Sequence, residues 1–236
     1  MKRVLIVRRG TAAASRLERF EVEYDERTTL LDALEFIRTR GERTLAYRHS
    51  CHHGSCGTCA VRVDGKEVLA CLVPLASIKS AEPVLEPLAA FELVADLAID
   101  PAAMFRSLPD KTAHLRTSEV KEKAVLPAGI ERFSRFEDCI ECGCCVSICP
   151  VTSGAAKPPF QGPAALAALE RENANRPERR DELLDRAAQP DGVAACERKF
   201  DCSRICPRGV APGRKIEQLR KELKERAVEY LELLPE

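Results

Sequence analysis

Eleven of the twelve cysteines fall into three spaced runs, and that spacing constrains the chain more than any other feature. Cys51, Cys56, Cys59 and Cys71 read C-x4-C-x2-C-x11-C. Cys139, Cys142, Cys145 and Cys149 read C-x2-C-x2-C-x3-C and are followed by Pro150. Cys196, Cys202 and Cys206 read C-x5-C-x3-C and are followed by Pro207, so the third run is the second with one thiol missing. Lys199 stands in the gap. The likeness of the second and third runs reads as an internal duplication.

Bulk properties narrow the class. A chain of 236 residues can hold one large domain or two small ones. Its 37 basic and 37 acidic residues cancel, which argues against nucleic acid as a partner. No apolar stretch is long enough to span a membrane. The start, MKRVLIVRRG, offers only a short apolar run, so no secretory leader is expected. Thiols of a chain kept in the cytoplasm stay reduced and free for metal, which disfavours a disulfide framework.

Residues 3–7 and 19–24 read as a strand pair, the second alternating apolar and charged positions. Thr29, with Asp32 three residues on, is set to cap a helix with Leu34 and Ile37 on its buried stripe, ended by Gly41. Residues 60–63 and 67–71 flank Asp64-Gly65 and predict a hairpin that puts Cys71 on a strand. Two hairpins and a helix around a cysteine loop describe a β-grasp module. A Pro-bearing stretch near 83–87 and an amphipathic segment from Phe91 to Leu97 follow, with a domain boundary near Asp100-Pro101. The remainder reads as helical. Residues 163–189, Ala-rich and charged, are expected on the surface. A last helix from Arg214 to about Leu233 carries Ile216, Leu219, Leu223, Ala227 and Leu231 on one face. The expected class is therefore α+β, with a β-grasp ferredoxin module over 1–103 and a helical domain over 104–236.

Each run has its own chemistry. C-x4-C-x2-C with a distant fourth cysteine is the plant-type spacing for a [2Fe–2S] centre, so Cys51, Cys56, Cys59 and Cys71 are its expected ligands. Gly54 and Gly57 suit a loop that turns N–H groups toward sulfur. Four thiolates also suit zinc, although zinc sites pair two short C-x-x-C knuckles. His49, His52 and His53 read as ordinary loop residues, since all four thiols are present. The second run is the bacterial signature, in which the fourth cysteine ligates the other cluster. Cys139, Cys142 and Cys145, completed by Cys206, are then expected to hold [4Fe–4S]. Cys149, Cys196 and Cys202 remain, and three thiolates hold three irons, a [3Fe–4S] centre. Cys144 breaks the spacing and reads as a buried non-ligand.

SCHHGSCGTC with Cys71, CIECGCCVSICP, CERKFDCSRICPRG and the linker EPLAAFELVADLAID together resemble the iron–sulfur subunit of succinate dehydrogenases and fumarate reductases, respiratory complex II, over nearly the whole chain. The resemblance implies a β-grasp plant-type ferredoxin domain followed by an α-helical, bacterial-ferredoxin-like domain, in an oxidoreductase complex of the tricarboxylic acid cycle or of anaerobic respiration. In it an FAD-containing flavoprotein partner interconverts succinate and fumarate. Electrons pass through the three centres to or from quinone at a membrane anchor that often carries haem b. It further implies a peripheral position on the cytoplasmic side of the cell membrane. Val151-Thr152-Ser153 stand where ubiquinone-linked members have tryptophan, and Glu197 where they have histidine; the wording CIECGCC and PDGVAAC is closer to menaquinone-linked members with dihaem cytochrome b anchors. Pro150, Glu197 and Lys199, beside the third run, are the candidate quinone-lining residues. Arg198, Arg204, Arg208, Arg214 and Lys215 give that region a basic character. Two rivals stay open: the electron-transfer subunit of a soluble or different flavin dehydrogenase, such as a thiol-linked fumarate reductase, and a zinc-stabilised interaction module. Thiol-linked relatives append CCG repeats, which do not follow the third run here.

Overall fold

The computed structural model describes residues 1–108, 139–154, 158–175 and 177–232; side chains of 175 and 228–232 are outside that description. Two compact units emerge: Met1–Ala103 with Ile140–Ile148, and the described parts of 104–139 and 149–236.

In the first unit, β1 (Lys2–Gly10) and β2 (Ser15–Glu23) pair antiparallel, with Leu5 opposite Phe20 and Arg3 opposite Val22. Leu5, Val7 and Val22 are fully buried, the inward half of a period-2 pattern. Each such burial contributes about 1.5–3 kcal/mol. Helix α1 (Leu30–Arg40) starts on a full capping box: the Thr29 side chain accepts from the Asp32 N–H, and the Asp32 carboxylate accepts from the Thr29 N–H. It buries Leu30, Leu31, Leu34 and Ile37. β3 (Ala60–Val63) and β4 (Lys66–Leu69) form the expected hairpin, with Asp64 and Gly65 both at positive φ as a tight primed turn requires.

Two differences from the expected layout matter. Cys71 is not on a strand but in a single 3-10 turn (Ala70–Leu72) directly after β4. The Pro-bearing stretch holds a strand, β5 (Val84–Glu86), parallel to β1 and antiparallel to β3, which closes the sheet in the order β2-β1-β5-β3-β4. Its three residues form no local pattern; long-range pairing makes the strand. The expected amphipathic segment is the first arm of a small hairpin, β6 (Glu92–Ala95) with β7 (Ala98–Asp100), followed by the short helix α2 (Ala102–Ser107). Helix α3 (Cys144–Ile148), inside the second cysteine run, belongs to this unit.

The second unit contains α4 (Pro150–Ser153), α5 (Pro163–Asn175), α6 (Arg180–Ala188), α7 (Asp201–Ile205) and α8 (Pro212–Glu232). Leu166 and Leu169 of α5, Leu183, Leu184 and Ala187 of α6, and Ile216 and Leu219 of α8 make one core. Helix α5 is not a surface helix: even Glu170, Glu172 and Asn173 are buried. Its charges are accommodated by partners. The Lys215 ammonium lies 3.1 Å from the Glu170 carboxylate, and the Asn173 amide donates to Glu222. On α8, Ile216 and Leu219 are buried and Leu223 packs partly against the core, whereas Ala227 is exposed. Leu231 and Leu233 fall outside what is described.

Candidate metal centres

The first cysteine loop is shaped by backbone that turns left-handed at His52, Gly54 and Gly57. Those reversals aim main-chain N–H groups inward. Ser55 and Cys56 each point an N–H at the Cys51 sulfur at 3.3 Å, and the Cys51 N–H faces the Cys56 sulfur at 3.5 Å. The sulfurs of Cys59 and Cys71 lie 3.3 Å apart and are buried, and none of the twelve cysteines is in a disulfide. Backbone hydrogen bonds, from His53 foremost, bring the Cys51 thiol down to about 6, whereas burial pushes Cys59 up to about 12. Cys51 is therefore held as a thiolate near neutral pH, ready for a cation.

The donor set is all sulfur, lined by N–H groups that favour negative charge on sulfur. Those are the properties an iron–sulfur cluster needs. Among the described residues no three His, Cys, Asp or Glu side chains converge as a single-ion site. The histidines engage one another instead: His49 Nδ1 lies 3.1 Å from His52 Nε2, and His49 Nε2 lies 3.3 Å from a Glu35 oxygen.

In the second run, Glu141 and Gly143 are left-handed, and a side chain on Gly143 would meet the Phe91 ring at 2.8 Å. Cys142 and Cys145 lie in the first unit, half-buried. Cys144 is buried; its thiol shares a hydrogen bond with the Cys142 sulfur, which pushes Cys144 far up and Cys142 down. Cys139, exposed, and Cys206, packed against Ala167, Ala168 and Val210, belong to the second unit.

The third set lies within the second unit. Cys149 caps α4, Cys196 ends a 3-10 turn, and Cys202 sits in α7. All three line one cleft together with Pro150, Glu197 and Lys199. Burial, followed by the nearness of Cys149 and Cys196, pushes the Cys202 thiol up to about 11. Left-handed Arg198 and Phe200 bend the chain around Lys199, and the Arg198 N–H faces the Cys196 sulfur at 3.5 Å. The basic residues nearby are largely matched: Arg198 with Glu217, Arg204 with Asp201 at 2.6 Å, and Lys215 with Glu170. Sequence reasoning missed Glu217 of α8 and Glu170 of α5, because they are distant in sequence from the residues they pair with, whereas Asp201 lies only three positions from Arg204 within α7.

Residues 3–106 match a family described as a 2Fe-2S iron-sulfur cluster binding domain, and residues 135–210 match a 4Fe-4S dicluster domain. The fumarate reductase iron-sulfur subunit of Haemophilus influenzae is 33% identical over 225 residues, covering 87% of this chain and 86% of that one. The protein of the same name from Mycobacterium tuberculosis is 33% identical, with 88% and 86% covered. Among solved structures, a chain of the Mycobacterium smegmatis Sdh1 complex in the apo form shares the fold, with a TM-score of 0.76 at 21% identity, covering 95% of this chain and 96% of that chain.

Proposed function

Because the chain belongs to the family of iron–sulfur subunits of fumarate reductases and succinate dehydrogenases, we propose that it carries electrons between the FAD of a flavoprotein partner and quinone at a membrane anchor. The observation that carries this reading is the ordered series of three all-sulfur ligand sets on a single chain. In it, Cys51, Cys56, Cys59 and Cys71 hold [2Fe–2S]. Cys139, Cys142, Cys145 and Cys206 hold [4Fe–4S], and Cys149, Cys196 and Cys202 hold [3Fe–4S]. The ferredoxin domain spans 1–103 and the helical domain 104–236 in this reading.

When bound, the centres supply one-electron carriers, into which a flavin can divide a two-electron oxidation. The chain's residues do the rest. The N–H groups of Ser55 and Cys56 stabilise negative charge on the Cys51 sulfur, which raises the potential of a centre bound there. Burial of Cys59, Cys71 and Cys202 excludes water from the sulfur side.

Pro150, Glu197 and Lys199 are proposed to line the quinone approach; their sharing a cleft with the third cysteine set supports this. Menaquinone and a dihaem anchor are the proposed partners at that end, with the chain peripheral on the cytoplasmic face. Among the described residues no helix is long and apolar enough to cross a membrane, so attachment in this reading goes through the anchor. The test is to isolate the chain with its neighbours in mild detergent and add succinate under argon. The reading expects a succinate-reducible [2Fe–2S] EPR signal that fumarate diminishes. A flavin-containing complex whose clusters respond to neither dicarboxylate would overturn it.

A further inference from the structure

Glu67 is a carboxylate where the strand pattern calls for an apolar side chain. In β4 the buried positions are Glu67 and Leu69, so Glu67 points inward and is only 4% exposed. Its oxygen Oε1 accepts a 2.7 Å hydrogen bond from the hydroxyl of Ser147 in α3. That hydroxyl in turn accepts the Ala89 N–H at 2.8 Å, which leaves its single hydrogen for Glu67. Ser147 is itself 2% exposed. Arg62 approaches the same carboxylate oxygen only to 3.9 Å and also faces Glu86 at 3.5 Å. Oε2 has no hydrogen-bond partner among the described residues.

The location gives this contact its meaning. Helix α3 includes Cys145 and starts just beyond Cys142, while β4 runs directly into the turn that carries Cys71. The other approach between these motifs is equally tight: a Cβ on Gly57 would lie 2.7 Å from Cys142 Cβ and 2.6 Å from the Ile140 carbonyl oxygen. Gly57 permits that approach but has no side chain with which to hold it. Burying a carboxylate against an apolar interior is unfavourable unless its hydrogen bonds are made.

We infer that Glu67, acting through Ser147, is a positioning residue that fixes the Cys142–Cys145 segment against the first cluster motif and so sets the electrochemical environment of the second centre. The inference rests on the reading of Cys142 and Cys145 as ligands of that centre. Glutamine at position 67 still offers Ser147 an acceptor, whereas leucine does not, and Ser147→Ala removes the donor from the other side.

The test uses the iron-loaded full chain in its purified complex and compares Glu67→Gln, Glu67→Leu and Ser147→Ala. Two quantities are read: hydrogen exchange at residues 144–148, and the midpoint potentials of the first two centres by EPR-monitored titration. Glu67→Leu and Ser147→Ala are expected to exchange roughly tenfold faster in that segment, the factor that about 1.4 kcal/mol represents. Both are expected to shift the second centre's potential and leave the first unchanged, with Glu67→Gln restoring the protection. Should Glu67→Leu fail to assemble, Ser147→Ala decides. A Ser147→Ala protein indistinguishable from the parent in exchange and potential overturns the inference. A parent protein that holds no iron refutes the functional reading itself, which separates the two failures.

Discussion

Lys199 stands where the spacing of the third run puts a fourth thiolate, and its neighbours Arg198 and Phe200 are held left-handed to turn the chain around it. A protonated amine does not replace a thiolate on iron. Lys199→Cys should therefore admit a fourth iron and lower the potential of that centre, as read by EPR and iron analysis; an unchanged spectrum would count against the ligand assignment. Cys144 makes the complementary case. It is buried and hydrogen-bonded to Cys142, and its place in the run disagrees with ligand spacing. Cys144→Ser is expected to keep all three centres, whereas Cys145→Ser is expected to lose or convert one. Equal loss in both would show the spacing reading wrong. The metal-free chain offers a pH test. With its thiol at about 6, Cys51 is mostly thiolate at pH 7 and loses that form as pH falls below 6, while Cys59, at about 12, stays protonated throughout. Iodoacetamide trapping at pH 7 with mass mapping should label Cys51 well ahead of Cys59, with the Cys51 rate falling sharply by pH 5.

The elements show which parts of the chain could be read locally. The capping box at Thr29 and Asp32 and the Asp64-Gly65 turn depend on residues within three positions of one another, and both formed where the residues predict them. β5 was not legible, because Val84–Glu86 is a strand only by lying between β1 and β3. Helix α5 was misread for a related reason: Glu170, Glu172 and Asn173 look like a wet face until Lys215 and Glu222 of α8 are placed beside two of them. Helix α3 lies in the first unit, where Ser147 meets Glu67 eighty positions away, and no spacing rule carries that contact. The helical core yields a prediction at this scale. Leu219 is fully buried among α5, α6 and α8, so Leu219→Ala should destabilise the second unit by about 2–5 kcal/mol in a denaturant titration.

For the molecule as a whole, three cysteine sets occur in order along a chain whose basic and acidic residues balance. The cysteine runs were the most legible part, since thiolate ligation fixes spacing in the sequence itself. The N–H groups aimed at sulfur were legible through Gly54 and Gly57, whereas the buried Glu67 and the partners Glu170 and Glu217 were not, because distant elements bring them into place. The central claim is that this chain is an electron conductor built on iron and sulfide. Iron analysis combined with low-temperature EPR on anaerobically purified protein tests it most directly. The expected result is about nine irons per chain, a near-isotropic signal from the third centre when oxidised, and a [2Fe–2S] signal when reduced. Colourless protein containing zinc in place of iron would contradict it.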